Sequence, residues 1–200
     1  MSTQNKAYSV ENGTIIINRE LTKLDLFVKD FLDVLKKHSD YLIVSGFVSI
    51  STGRTRGTED VDILAQKLDK TKFVLLLGDL FKNSFWCYQG DTIDEIWKYI
   101  ENGDNIRFAK EGEMFPNVEF ISVDKSKPTK YFEFTHPQKI KIQDFEFKIP
   151  PIEFDILFKE IVLAGKKDIE DAQHLRTFFS ELIKKERFKE YEPIIKKELR

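Results

Sequence analysis

Asp60-Val61-Asp62 sits at the head of an apolar run that continues through Ile63 and Leu64. In an extended strand alternate side chains share a face, so both carboxylates point the same way, one pleat repeat apart. Side by side they repel each other and cost free energy to desolvate. Asp is also a poor strand former. A divalent cation between the two turns that liability into a binding site, and a hard cation takes oxygen ligands, which this chain supplies in carboxylates. Its three histidines, His38, His136 and His174, lie far apart and lack metal-ligand spacing, and Cys87 is the one cysteine. Thirteen residues separate the pair from a small-residue turn, Ser45-Gly46, that follows the apolar run Tyr41–Val44. Backbone N–H groups of such a turn, opening a helix, favour an anion. The intervening loop carries Arg54 and Arg56, whose forked guanidinium groups match phosphate oxygens.

These residues need a frame. Tyr41–Val44 reads as a central strand, Phe47–Ser51 as a short helix and Asp60–Ala65 as the returning strand, an α/β unit with its ligand at the carboxyl end of the first strand. Ahead of it, Thr14–Ile17 reads as an edge strand after Asn12-Gly13. The spacing of Leu21, Leu24, Phe27, Val28, Phe31, Leu32 and Leu35 predicts an amphipathic helix over 21–37. Helices are expected over Asp69–Lys82 and Asp91–Ile100, the latter capped by Asp91-Thr92 and followed by Gly103. From Ile106 on, short runs at 106–109, 118–123, 131–134, 140–142 and 145–149 read as antiparallel strands and hairpins. Pro150-Pro151 cannot continue a central strand and divides residues 1–150, the core, from a helical segment over 151–200. Trp86, Trp97 and the phenylalanines read as core, with Phe85–Tyr88 as a possible lining for a base. The fold class expected is α/β (α+β), a mixed sheet flanked by helices with a C-terminal helical cap.

The totals agree with such a domain. Forty-one per cent apolar residues, 18 of them Phe, can build a sizeable core, and the net charge of −2 argues against a general nucleic-acid coat. One cysteine permits no intramolecular disulfide and fits a reducing compartment. No apolar run approaches the roughly 20 residues that span a bilayer, and the first seven residues carry no signal-peptide core. A cytoplasmic protein that makes no membrane contact is expected. The charged run Lys184–Lys197 is most simply a solvated helix face, with contact to an RNA acceptor as the alternative.

The order apolar strand, small-residue turn, about a dozen residues, then Asp-apolar-Asp resembles the signature of the nucleotidyltransferase superfamily, the DNA polymerase beta-like fold. Gly53–Ile63, Gly-Arg-Thr-Arg-Gly-Thr-Glu-Asp-Val-Asp-Ile, is most similar to its small AbiEii-like branch, which includes abortive-infection toxins. Gly46, Arg56, Thr58, Asp60 and Asp62 match residue by residue. The chain departs in having Ser45-Gly46 where the family has Gly-Gly or Gly-Ser. The resemblance implies Mg²⁺ or Mn²⁺ on Asp60 and Asp62, phosphate contacts from Ser45, Gly46, Arg54, Arg56 and Thr58, and a third carboxylate from a neighbouring strand. Glu119, a charge inside the apolar run Val118–Ile121, is the candidate for a ligand or for the base that activates the acceptor. Glu113 and Asp124 rival it from turn-like surroundings, while Glu59 alternates away. A second matching region, Glu153–Leu175, holds Lys159 and Lys167 as candidate nucleotide contacts and Asp168 and Asp171 as supports. Read as ordinary helix residues, the two aspartates are an N-cap and part of a solvated face. The activity implied is two-metal transfer of a nucleoside monophosphate from an NTP to a hydroxyl of a protein, an RNA or a small molecule. The alternative is a non-catalytic nucleotide-binding or toxin–antitoxin module, with an antitoxin as partner.

Overall fold

The computed structural model of the chain describes residues 6–58 and 60–199, so Glu59 lies outside the described residues. It opens with a hairpin of β1 (Tyr8–Glu11) and β2 (Thr14–Ile17), turned by Asn12 and Gly13, both at positive φ. Then come α1 (Lys23–Leu35), β3 (Tyr41–Ile43), α2 (Gly46–Ser51), β4 (Asp60–Gln66) and α3 (Lys70–Lys82). The middle of the chain forms β5 (Phe85–Cys87), α4 (Ile93–Asn102), β6 (Ile106–Lys110), β7 (Asn117–Val123) and α5 (Pro128–Thr135). It ends with β8 (Gln138–Ile142), β9 (Phe145–Ile149), α6 (Ile152–Phe158), α7 (Lys166–Phe178) and α8 (Lys185–Ile195).

Two mixed sheets result, in the orders β1-β2-β8-β9 and β3-β4-β7-β6-β5. Each contains one parallel pair, β2 with β8 and β4 with β7, among antiparallel neighbours. The fold is therefore mixed α/β, with helices flanking both sheets. A single buried cluster runs from Ile15 and Ile17 through Phe31, Val61, Ile63, Phe108 and Phe120 to Ile140 and Phe147. Ile152, Ile156, Ala172, Leu175 and Phe179, all beyond Pro150-Pro151, enter the same cluster. α1 starts from a capping box between Thr22 and Asp25. Arg19 grips buried Asp25 with two hydrogen bonds, at 2.6 and 2.8 Å, and donates from Nε to the Ser51 carbonyl at 2.8 Å, which ties the start of α1 to the end of α2.

Several sequence expectations change. β2 is internal because Tyr8–Glu11, too polar to read as a strand, supplies the edge. β3 is the edge of its sheet rather than its centre, yet all three of its residues are buried because β9 packs against it. β7 pairs in parallel with β4, and β8 with β2, where antiparallel pairing was expected, while β8 and β9 form the expected hairpin. Tyr131–Phe134 belongs to helix α5, because Pro128 starts the helix, and Tyr131 and Phe134, three apart, fall on one face. The terminal helix covers Lys185–Ile195 and gives way to a 3-10 turn over Lys196–Leu199.

Candidate active site

Parallel pairing of β4 with β7 sets Asp60 beside Asn117 and Asp62 beside Glu119. Alternation sends Val61, Ile63, Val118 and Phe120 into the main core and leaves Asp60, Asp62 and Glu119 on the opposite face. Farther along that face Leu64, Ile121 and Val123 join Leu42 of β3 in a small apolar cluster, which Tyr131 and Phe134 of α5 cover. The three carboxylates thus occupy the open end of a face whose other end is sealed. Each is partly buried, and one oxygen from each lies within 4.8 Å of the others. That spread suits a shared cation, since oxygens around one divalent ion sit up to about 4–5 Å apart, twice the metal–oxygen distance. The donor set, all carboxylate, suits Mg²⁺ or Mn²⁺.

The neighbours of this trio act on it in different ways. Burial, more than any other cause, pushes the Asp62 carboxyl up to about 6, and the charges of Asp60 and Glu119 add to the rise. A hydrogen bond from the Ser45 side chain and the charge of Lys130 oppose it. Thr58 donates its hydroxyl to the Asp60 carbonyl at 2.8 Å and more weakly to its carboxylate at 3.4 Å, which fixes where the strand begins. Arg107, opposite Glu119 on β6, reaches Glu119 at 3.1 Å and Asp60 at 3.6 Å. Asn105 donates to the other Glu119 oxygen at 2.7 Å. Glu113 and Asp124 stay apart: Glu113 lies in the exposed turn after β6, and Asp124 caps Ser126 past the far end of β7.

The Val44 N–H donates to the Asp62 carbonyl at 3.0 Å, which brings the following turn alongside. Ser45 there has φ 62° and ψ −134°, a conformation that costs a non-glycine residue on the order of 1–3 kcal/mol. Lys159 holds it. That side chain is fully buried, donates to the Ser45 carbonyl at 2.9 Å and to both Asp155 oxygens at 2.8 Å. Lys159 is committed to the scaffold of the turn. Gly46 comes next because the Arg56 guanidinium crosses it; a Cβ there would lie 2.9 Å from Arg56 Nη2.

Arg54 and Arg56 both turn toward α7. Each pairs with fully buried Asp171 at 2.5 Å, and Arg54 also reaches Glu170 at 3.0 Å. Asp171 is therefore no part of a solvated face. Gly165 takes the N-cap position and Asp168 lies in the first turn, its carboxylate against Gly165. Lys167 is exposed, with no ion pair among the described residues.

A cleft of about 220 Å³ opens beside the trio, lined by Ser45, Asp62, Glu119, Lys130, Glu133 and Asp155 among others. Arg107, Asn105, Lys130, Glu133 and Asp155 all escape a reading of the sequence. Arg107 has the strand alternation of an outward residue, and only the β6–β7 register shows what it meets. Lys130 and Glu133 become i,i+3 neighbours on one face only once 128–135 is a helix. Trp86 and Tyr88 stack at 4.6 Å and hold the loop after β6 through hydrogen bonds to Glu113 and Met114, while Phe85 enters the core. No helix among the described residues is long and apolar enough to cross a membrane.

No family model matches this chain, and no curated protein does. A crystal structure of an antigenic nucleotidyltransferase-like protein from Paracoccidioides brasiliensis superposes on 88% of this chain and 94% of its own, at 17% identity and a TM-score of 0.46. At that distance the likeness decides neither family nor activity, and the site must be read from its own geometry.

Proposed function

We propose that Asp60, Asp62 and Glu119 hold Mg²⁺ or Mn²⁺, and that the chain transfers a nucleoside monophosphate from an NTP to an acceptor hydroxyl on a protein, an RNA or a small molecule. The observation that carries this reading is the meeting of three carboxylates from adjacent strands within 4.8 Å, at the mouth of a cleft. When bound, the cation supplies charge neutralisation and alignment for the phosphoryl oxygens. The chain's residues position and select. Thr58 sets the start of β4 and so the direction of Asp60. Lys159 and Asp155 keep Ser45 turned toward Asp62. Arg54 and Arg56, through Asp171, brace the loop that leads into the aspartates. Glu119 has an oxygen near the aspartates and an orientation fixed by Asn105 and Arg107, as a ligand or an acceptor base requires.

One observation favours the second reading, a nucleotide-binding module without catalysis. Arg107 already supplies positive charge to Glu119 and Asp60, as a permanently neutralised cluster would have it. Incubation with each α-labelled NTP, Mn²⁺ and a cell extract separates the two. Transfer of label by the native chain and its loss in Asp62→Asn is the expected result. Transfer that survives in Asp62→Asn overturns the catalytic reading, and binding without transfer supports the module.

A further inference from the structure

Helix α5 brings two side chains to the cleft that the pairs described above do not use. Lys130 is partly exposed, lines the cleft with Asp62 and forms no hydrogen bond or ion pair with a described residue. The other cations near the site are engaged: Lys159 by Asp155, Arg54 and Arg56 by Asp171, Arg107 by Glu119. Glu133, one turn along, is 5% exposed and lines the same cleft, and its carboxyl makes no hydrogen bond to a described residue, so its oxygens are left to whatever enters that cleft. Buried polar groups are almost always hydrogen-bonded, and one that is not calls for an explanation. A carboxyl that a ligand completes is such an explanation.

We propose that α5 is the nucleotide-recognition element of the site, with Lys130 pairing with phosphate oxygens and Glu133 hydrogen-bonding the nucleoside. This rests on the nucleotide reading above and deepens it. The chemistry divides by position. A free ammonium that faces an acidic trio is poorly placed to attract more cations and well placed to share a polyanion with them. The cleft is smaller than the roughly 300–1,000 Å³ of common ligand pockets, so it takes one part of a nucleotide, not the whole. The part that reaches Glu133 must offer an O–H or N–H to a carboxylate, or accept from a carboxylic acid. Sugar and base edges do both. Phosphate, an anion beside a carboxyl, does neither well.

Calorimetry with Ca²⁺ present, using each NTP and inorganic triphosphate as probes, tests the assignment. Lys130→Met should weaken the bound NTP and inorganic triphosphate alike by about tenfold or more, and Lys130→Arg should restore most of it. Glu133→Gln should weaken the NTP by about tenfold while leaving inorganic triphosphate unchanged. Equal NTP affinity in the native chain and both variants overturns the assignment but leaves the nucleotide reading standing. No NTP binding by the native chain overturns both. Glu133→Gln is near-isosteric, so far-ultraviolet circular dichroism of that variant separates a lost contact from a lost fold.

Discussion

Glutamine at position 133 should make the fold more stable than the native chain at alkaline pH and leave the two alike at acid pH. Burial, with the charge of Asp155 adding to it, pushes the Glu133 carboxyl up to about 8 from an ordinary 4.5, while Lys130 and Lys159 pull the other way. The folded chain therefore keeps this proton in a range where the unfolded chain has released it. With more protons bound to the folded state, stability falls as pH rises from 4.5 towards 8 and levels off beyond. Each pH unit in that window removes about 1.4 kcal/mol, so the sum approaches roughly 5 kcal/mol. Water entry and a shift of α5 relieve part of this, and about 2–4 kcal/mol is the difference expected near pH 9. Glutamine has the shape of the protonated acid and does not titrate. Urea denaturation of both proteins, in chelator-treated buffer, at about pH 5 and about pH 9 measures it. The readout is the difference between the two proteins, in which the titration of Asp62 and Asp155 cancels to first order. A difference that does not change between the two pH values refutes the reasoning. It would mean that Glu133 is hydrated or paired when folded.

Asp171→Ala should cost about 3–5 kcal/mol in chemical denaturation, because it leaves the Arg56 guanidinium without its anion and Arg54 with half-exposed Glu170 alone; a loss under about 1 kcal/mol would show the pairs to be solvated. Gly46→Ala should cost about 1–3 kcal/mol, since its Cβ would meet Arg56 Nη2 at 2.9 Å, and the penalty should shrink in an Arg56→Ala background. An additive cycle would disprove the close approach as its cause. Arg107→Gln should tighten Mn²⁺ binding by about tenfold, by removing a competing charge from Glu119 and Asp60; weaker binding would show that Arg107 serves mainly to orient Glu119.

Half of the site is legible in the sequence. Asp60 and Asp62 declare themselves because a carboxylate inside an apolar strand contradicts burial, and period-two alternation tells which way both point. Glu119 carries the same contradiction in Val118–Ile121. The step from two strands to one cluster is pairing, which local sequence does not encode: the β4–β7 register is set by the core on the other face. Arg107 stayed hidden for that reason. Lys130 and Glu133 stayed hidden for another, since Tyr131-Phe132-Glu133-Phe134 has aromatic β-propensity while Pro128 and the small cluster around Leu64 decide for a helix. Lys159, Arg54 and Arg56 were legible as cations near the site, but not in what they do. Their partners, Asp155 and Asp171, lie about a hundred residues from the Ser45–Arg56 segment they steady, and a charge on a helix gives no sign from sequence alone that it is buried.

Two sets of carboxylates among the described residues differ in how their charge is compensated. Asp25, Asp155 and Asp171 are all fully or almost fully buried, and each has a dedicated cation: Arg19, Lys159, and Arg54 with Arg56. Breaking one leaves a buried charge uncompensated, so these pairs fix geometry whatever their net contribution to stability. Asp60 and Glu119 share a single guanidinium that is itself half-exposed, and the carboxyls of Asp62 and Glu133 have no ion pair among the described residues. A chain that matches these three buried carboxylates with close cations, yet leaves four under-compensated around one cleft, departs there from its own pattern. Such local conflicts concentrate at functional sites. The same division reassigns the cations. With Arg54, Arg56 and Lys159 engaged in holding the scaffold, Lys130 is the unpaired cation among the described residues that line the cleft, and on the proposed reading it and a divalent ion would meet the polyanionic ligand.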